Sequence, residues 1–263
     1  MKFVKANGLV IHTRDEGRRD GPALVFINSL GTDFRIWNDV AAILAPDFRT
    51  VLHDKRGHGL SESGPDTNDM ADYARDLAAL LDGADVGRAT IVGLSIGGLI
   101  AQELYRQDPD RVAALVLCDT AAKIGTDDVW DQRIAQVERG GIESLADSVL
   151  ERWFTAEFRS RRSAELAGMR AMLTRTPRQG YLAACGALKR ADLRPYARRI
   201  EAPTLCLVGD QDGSTPVALV KETAALIPGS RFEIIEGAGH LPNVEKPEIV
   251  AELVAGHARK TAL

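Results

Sequence analysis

Short apolar runs alternate with amphipathic stretches along most of the chain. The runs are rich in aliphatic and β-branched residues, and they read ALVFI, TVLH, ATIVGL, VAALVLC, TLCLVG and RFEII. Between them lie stretches such as MADYARDLAALLDGA and VALVKETAALIP, in which apolar residues recur at helical spacing. Buried strands separated by amphipathic helices are typical of a parallel sheet with helices on both faces. The pattern therefore predicts an α/β fold.

The chain begins with two β-prone segments on either side of Asn7 and Gly8. This dipeptide suits a tight hairpin turn in which both residues adopt a positive φ angle. We therefore predict an antiparallel hairpin at the start of the chain. Together with the later apolar runs, the hairpin brings the predicted sheet to eight strands, most of them parallel.

Residues 121–197 do not show the alternation of predicted strands and helices found in the rest of the chain. They contain WDQRIAQVERGGIESLADSVLERWF and AELAGMRAMLTR, which predict successive helices without an intervening strand. We predict a core domain made of residues 1–120 and 198–263, with residues 121–197 inserted as a helical lid after the sixth strand. Such a lid lies over the carboxyl edge of the sheet, where open α/β sheets bind ligands.

Composition and charge narrow the range of partners. The 263 residues are 45% hydrophobic and 27% charged, which is typical of a globular protein with one substantial core. The formal net charge of -4 provides no basic surface, so we expect no nucleic-acid partner. The sequence has neither an apolar run long enough to span a bilayer nor an N-terminal secretory pattern. We expect a cytoplasmic protein with no membrane partner, and the sequence leaves its oligomeric state open.

The three cysteines are far apart in the chain. Their number and spacing suit neither a disulfide framework nor a metal site. Cys118 and Cys206 lie within apolar runs, so we expect them to be buried thiols of the core.

A candidate nucleophile, Ser95, lies where a predicted strand passes directly into a predicted helix. The local sequence is Gly93-Leu94-Ser95-Ile96-Gly97. A serine on so sharp a turn needs small neighbours, and glycine at positions 93 and 97 meets that need. Because this five-residue pattern also occurs by chance, we base the interpretation on its position between a predicted strand and a predicted helix.

A serine hydroxyl needs a base to take its proton, and histidine titrates in the useful range. His240 follows the last predicted strand in a glycine-flanked loop, so it projects from the carboxyl edge of the sheet. We expect His12 and His257 to be solvated. We interpret His53 and His58, on either side of the DKRG segment, as structural or pocket-lining residues.

The base in turn needs an acceptor that fixes its tautomer and stabilises the imidazolium ion. The strand TLCLVG is followed by Asp210 and Asp212, and we choose Asp212 because it lies deeper in the turn before the Gly213-Ser214-Thr215-Pro216 reversal. Asp119, which follows the strand VAALVLC, is the alternative acid. The resulting chain order of serine, acid and histidine is the one expected for a nucleophile elbow on an α/β sheet.

Hydrolysis also requires hydrogen-bond donors for the developing oxyanion. The backbone N–H of Ile96 lies at the positive end of the helix that Ser95 begins. For the second donor we choose the backbone N–H of Leu30, in the loop after the strand ALVFI.

The chain resembles the α/β-hydrolases over its whole length, and within them it is most similar to the 3-oxoadipate enol-lactonases. The general features are INSLG, DKRGHGLS, GLSIGG, GDQD and GAGH. The narrower ones are NSLGTDFRIW, LCDTAAKIGTDDVWDQRI and VLERWFT. The narrower segments lie in the oxyanion loop and the lid, where substrate choice is made. Asn28 and Ser29 depart from the His-Gly pair that many relatives carry there.

This resemblance implies hydrolysis of 3-oxoadipate enol-lactone to 3-oxoadipate, in the β-ketoadipate pathway of aromatic catabolism. It implies no metal and no organic cofactor. The substrate is a small lactone with a free carboxylate, which Arg133 of the lid could bind through two hydrogen bonds. Candidate pocket residues besides Arg133 are Asn28, Ser29, Trp130 and Trp153.

Three alternatives stay open. Lys55 and Arg56 could be further cations of the site, although we interpret them as anchors of neighbouring loop carbonyls. The same catalytic residues could serve a carboxylesterase, or a perhydrolase of the haloperoxidase-like branch, that acts on acyclic esters. A protein of another class, a non-catalytic module that binds a small ligand, could also keep Ser95.

Overall fold

The computed structural model describes residues 2–261 and contains one eight-stranded sheet. Each strand coincides with one of the apolar or alternating runs of the sequence. In chain order the strands are β1 (Lys2–Ala6), β2 (Leu9–Gly17), β3 (Ala23–Ile27), β4 (Arg49–His53), β5 (Ala89–Leu94), β6 (Val112–Cys118), β7 (Thr204–Gly209) and β8 (Arg231–Ile235).

Twelve α-helices connect or follow the strands in the described part of the chain. In chain order they are α1 (Asn38–Leu44), α2 (Met70–Gly83), α3 (Ile96–Gln107), α4 (Asp127–Gly140), α5 (Ala146–Trp153), α6 (Ala156–Arg161), α7 (Ser163–Thr174), α8 (Arg178–Arg190), α9 (Arg194–Ala197), α10 (Val217–Leu226), α11 (Pro242–Glu245) and α12 (Pro247–Thr261). Helix α1 packs against α12, and α2 packs against α3.

The predicted hairpin is confirmed. Strands β1 and β2 pair antiparallel, with Ala6 opposite Leu9. Asn7 and Gly8 form the two-residue turn, with φ angles of 49° and 80°. Both angles are positive, as the sequence of the turn requires.

The strand order is β1-β2-β4-β3-β5-β6-β7-β8, and β2 pairs antiparallel with both of its neighbours. All pairings from β4 to β8 are parallel, so these strands have their carboxyl ends at one edge of the sheet. Every residue of β4, β5 and β7 is buried, which requires cover on both faces. The predicted mostly parallel α/β sheet is therefore confirmed.

Helices α4 to α9 all lie between β6 and β7 in the chain, within residues 121–197. Thr126 caps α4 by accepting from the amide of Val129, and Thr155 caps α6 by accepting from the amide of Phe158. Helix α4 packs against α8, and α5 packs against α7. We propose that residues 121–197 form the lid and that the rest of the described chain forms the core domain.

Two further expectations concern burial and membrane contact. Cys118, Cys185 and Cys206 are all free thiols in the interior, as expected for the first and last of them. Over residues 2–261, no helix combines the length and the apolar character that crossing a bilayer demands.

Candidate active site

Ser95 lies at the turn from β5 into α3 in a strained conformation, with φ of 56° and ψ of -117°. A Cβ atom at Gly93 would collide with the backbone of Gly97, and one at Gly97 would lie 2.6 Å from the carbonyl oxygen of Ile27. Both glycines are therefore required by close backbone contacts. Such strain persists only where the surroundings enforce it, and it is common at functional sites.

The turn is anchored through the backbone of Ser95 and not through its side chain. The Ser95 amide donates to the carbonyl of Cys118 at 3.0 Å, and the hydroxyl of Thr120 donates to the Ser95 carbonyl at 2.6 Å. The hydroxyl of Ser95 is therefore left to face the cavity that this residue lines.

His240 and Asp212 form a buried pair at the carboxyl ends of β8 and β7. The Nδ1 atom of His240 lies 2.9 Å from Oδ2 of Asp212. The hydroxyl of Thr215 donates to the same carboxylate oxygen at 2.6 Å, and the amides of Ser214 and Thr215 donate to the other one. With Nδ1 held in this way, Nε2 is the ring nitrogen available to take a proton.

Several effects act on the Asp212 carboxyl. Burial alone would raise its pKa, but the charge of His240 and the hydrogen bonds from His240 and Thr215 hold the pKa below its usual value. The site therefore keeps Asp212 ionised, as a residue that orients and stabilises a protonated imidazole must be. Asp210, by contrast, is exposed and accepts from the amide of Ala238 at 3.2 Å.

Asp119, the alternative acid, lies beside this pair at the end of β6. One of its oxygens accepts from the amide of Gly209 at 2.9 Å, while the other is buried without a partner among the described residues. Burial first, and then the charge of Asp212, raise the pKa of Asp119 well above its usual value. Of these two neighbouring carboxyls, Asp119 is therefore the one that takes up a proton more readily.

Asp119, Asp212 and His240 could each offer one ligand atom to a metal ion, since these atoms lie within 4.8 Å of one another. Asp212 and His240 already bind each other, and Thr215 occupies the same carboxylate oxygen. A carboxyl must lose its proton to bind a metal ion, and the raised pKa of Asp119 opposes that loss. The hydrogen bonds of this group therefore fit proton transfer better than metal binding.

The loop after β3 lies beside Ser95 in the same cavity, which Ser29 and Leu30 line. Lys55 is buried and donates to the carbonyl of Ser29 at 2.6 Å, so the predicted anchoring role of Lys55 agrees with its contact. Among residues 2–261, no turn or cap hydrogen bond uses the amide of Leu30 or of Ile96 as its donor. Both amides are therefore free for an oxyanion.

Asn28 was predicted to be a pocket residue, but its side chain lies elsewhere. Its side chain is fully buried and donates to the carbonyl of Thr32 within the loop. It does not line the cavity with Ser95. The amide nitrogen of Asn28 thus stabilises the loop, while its amide oxygen is buried without a hydrogen-bond partner among the described residues.

One cavity of about 210 Å³ joins the core to the lid. The core contributes Ser95 and His240, and the lid contributes most of the remaining wall. The lid residues that line it include Trp130, Arg133, Arg152, Trp153 and Tyr181. The predicted pocket residues Ser29, Trp130, Arg133 and Trp153 all lie here.

The end of helix α5 contacts both catalytic loops. The amide of Gly213 donates to the Arg152 carbonyl at 3.3 Å, and the amide of Leu241 donates to the Trp153 carbonyl at the same distance. A Cβ atom at Gly239 would lie 2.5 Å from that second carbonyl oxygen. The lid therefore rests on the loops that carry Asp212 and His240.

The expectation that His12 and His257 are solvated is wrong. The Nδ1 atom of His12 lies 2.7 Å from a carboxylate oxygen of Asp54, and the Nε2 atom of His257 lies 3.2 Å from the carbonyl of Pro203. Both rings are buried. Their polar partners are distant in sequence, so the local pattern could not reveal them.

The other basic residues named from the sequence have structural contacts. His53 and His58 are buried and do not line the cavity. The guanidinium of Arg56 is paired with Asp76 and also donates to Asn68. Sequence reasoning missed Arg152, Tyr181 and Thr215, although Arg152 lies in VLERWFT and Thr215 lies in the reversal after Asp212.

Comparison with known proteins places the chain among characterised relatives. A family model described as the alpha/beta hydrolase fold matches residues 22–247. The 3-oxoadipate enol-lactonase 1 of Acinetobacter baylyi is 34% identical over 259 residues, covering 98% of this chain and 97% of that protein. The crystal structure of the enol-lactonase from Burkholderia xenovorans LB400 has a TM-score of 0.94 at 36% identity, covering 97% of this chain and 99% of that one.

A thermophilic esterase from Thermogutta terrifontis, solved with malate bound, is also similar. Its TM-score is 0.93 at 29% identity, and the match covers 99% of both chains. The matched family model and the full-length relatives confirm the resemblance seen in the sequence motifs. The chain belongs to the alpha/beta hydrolase fold family.

Proposed function

We propose that the protein hydrolyses 3-oxoadipate enol-lactone to 3-oxoadipate, as a step of the β-ketoadipate pathway. The observation that carries the proposal is the shared cavity of Ser95 and His240, whose lid side presents Arg133 and two tryptophans. The similar 3-oxoadipate enol-lactonase 1 of Acinetobacter baylyi supports this substrate, and the similar enol-lactonase of Burkholderia xenovorans LB400 supports hydrolysis of an enol-lactone.

The first step is attack of the Ser95 oxygen on the lactone carbonyl. His240 accepts the hydroxyl proton at Nε2 while Asp212, 2.9 Å from Nδ1, stabilises the imidazolium ion. The carbonyl oxygen becomes an oxyanion that the amides of Leu30 and Ile96 stabilise. Preorganised donors of this kind lower the barrier because they need no reorganisation during the reaction.

Collapse of the tetrahedral intermediate breaks the ring C–O bond and leaves an acyl group on Ser95. The leaving oxygen belongs to an enol, whose anion is more stable than an ordinary alkoxide. The leaving oxygen takes the proton from His240, and the resulting enol then becomes the ketone. A water molecule next loses a proton to His240 and attacks the acyl group, which releases the acid and restores Ser95. This route needs no metal or organic cofactor.

A carboxylesterase activity on acyclic esters is the second candidate. The similar esterase of Thermogutta terrifontis supports it. That protein was solved with malate, an acidic ligand, and an acidic ligand would also suit the arginine of this cavity. The two candidates share Ser95, Asp212 and His240, so they differ only in the substrate that the lid selects.

A substrate panel tests the proposal. The purified protein is incubated with the enol-lactone, and the loss of the ultraviolet absorbance of the lactone is followed beside simple acyclic esters. We expect a higher kcat/KM for the lactone, and faster hydrolysis of the simple esters would favour the esterase.

The nucleophile is tested separately with Ser95→Ala and with a fluorophosphonate probe. We expect the variant to lose activity and the probe to label Ser95 in the wild-type protein. Retained activity in Ser95→Ala would remove the proposed nucleophile, and absence of labelling would favour a non-catalytic binding module.

A further inference from the structure

Two arginines of the lid line the cavity without a carboxylate partner. Arg133 on α4 and Arg152 on α5 are both half-buried. Over residues 2–261, neither guanidinium has an ion pair, and that of Arg133 stacks over the ring of Trp130 with its carbon 5.3 Å from the ring centre. Other arginines of the interior are paired, as Arg49 is with a carboxylate.

The two guanidiniums are close enough to affect each other and one tyrosine. Burial and then the charge of Arg133 lower the pKa of Arg152. Burial raises the pKa of Tyr181 to about 12, and the charges of Arg133 and Arg152 act in the opposite direction. All three side chains also line the same cavity.

The wall of the cavity offers no charge to balance them. Among the lining residues there is neither aspartate nor glutamate. Two like charges in a half-closed space repel each other and lose solvation, which destabilises the empty site. A bound anion would relieve both effects.

The backbone contacts of Arg152 fix its place relative to the catalytic residues. Its carbonyl accepts from the amide of Gly213, the residue after Asp212. A Cβ atom at Gly213 would lie 3.2 Å from Cγ of Arg152, so this side chain lies directly against the loop of the acid. The backbone and the base of the Arg152 side chain are thus held by the loop that carries Asp212.

We infer that Arg152, with the hydroxyl of Tyr181, binds the free carboxylate of the substrate beside Arg133 and makes the site select acidic lactones and esters over neutral ones. The identity of the lactone rests on the proposed function, whereas the preference for a carboxylate does not. Two guanidiniums around one carboxylate leave a net positive charge, which also suits the second negative charge formed at Ser95 during hydrolysis. Arg152 is thereby a specificity-determining residue that the sequence motifs did not reveal.

The test compares a carboxylate with its neutral isostere. Butyrate and butyramide are measured as competitive inhibitors of p-nitrophenyl acetate hydrolysis in wild type, Arg152→Met and Arg161→Met. Arg161 is an exposed lid residue paired with Glu157, so its variant changes the net charge equally but outside the cavity. Charge-assisted hydrogen bonds of this kind correspond to roughly a 10- to 100-fold preference.

We expect wild type and Arg161→Met to prefer butyrate, and we expect Arg152→Met to lose about 10-fold or more of that preference. Since Arg152 has no ion pair to lose, its variant should melt no lower than wild type. A second variant, Arg152→Gln, should give the same loss. An unchanged preference for butyrate in Arg152→Met or Arg152→Gln would overturn the inference, and so would a lowered melting temperature with the preference intact.

The enol-lactone provides the second measurement. For Arg152→Met we expect the ratio of kcat/KM on the lactone to kcat/KM on p-nitrophenyl acetate to fall by about 10-fold or more. Wild-type protein that hydrolyses the neutral ester but not the lactone would count against the proposed substrate alone. The preference for butyrate would still decide the role of Arg152.

Discussion

The Nζ atom of Lys55 donates a hydrogen bond of 2.6 Å to the carbonyl of Ser29, the residue before the proposed oxyanion donor Leu30. Lys55 is almost fully buried, and burial lowers its pKa well below the usual value, against the opposing charge of Asp54. A buried lysine is costly unless its hydrogen bonds are needed. This one holds the loop that carries the proposed oxyanion donor.

Replacing Lys55 by methionine should therefore impair catalysis more than binding. The loop loses its anchor, so the Leu30 amide is less well placed when the oxyanion forms. We expect kcat to fall on the order of 10-fold, less than the loss of a whole oxyanion donor, with little change in KM. Steady-state kinetics on the lactone and on p-nitrophenyl acetate measure this, and an unchanged kcat on both would contradict the anchoring role.

The two neighbouring acids should respond differently to the same substitution. Asp212→Asn removes the charge that stabilises the imidazolium ion and allows the wrong tautomer of His240, so we expect kcat to fall on the order of 10⁴-fold. Asp119→Asn keeps an oxygen that can still accept from the amide of Gly209, so we expect most activity to remain. If Asp119→Asn proved the more damaging change, the acid role would pass to Asp119.

The sheet could be predicted from the sequence because each strand is short, apolar and bounded by polar or glycine-rich turns. The proximity of Ser95, Asp212 and His240 could be predicted for a related reason. Parallel strands bring their carboxyl ends to one edge, so residues just after three such strands are neighbours whatever their separation in the chain.

The residues that line the lid side of the cavity could not be predicted in the same detail. The local pattern places Arg152 on a helix, but only the packing of α5 on the Asp212 and His240 loops decides that it lines the cavity. His12 shows the same limit, since its partner Asp54 lies 42 residues away. Contacts between elements, and not periodicity within one element, determine these positions.

The contact between the lid and the histidine loop predicts a steric effect at Gly239. A methyl group there would lie 2.5 Å from the Trp153 carbonyl oxygen, a backbone atom that cannot move alone. We expect Gly239→Ala to destabilise the protein by about 1–3 kcal/mol and to lower kcat, because His240 is the next residue. Urea unfolding and steady-state kinetics measure the two effects.

Gly256 supplies the matched control for that substitution. It lies inside α12, and no atom is found within 4 Å of the place where its Cβ would be. Gly256→Ala should therefore stabilise the protein by up to about 1 kcal/mol, since alanine restricts the unfolded chain and favours the helix. Equal losses of stability in both variants would show that the contact with the lid is not the cause.

The buried ring of His53 makes stability depend on pH. Burial, and then the charge of Lys55, lower its pKa from 6.5 to about 4, so the folded protein keeps the ring neutral while the unfolded chain protonates it. The neutral ring contributes its full stabilisation above pH 6.5, and this stabilisation is lost as the pH falls toward 4. The loss in the free energy of unfolding is about 2 kcal/mol by pH 5. Urea unfolding at pH 7 and pH 5 should show a smaller drop for His53→Leu than for wild type. An equal drop in both proteins would mean that this ring is not the group that titrates.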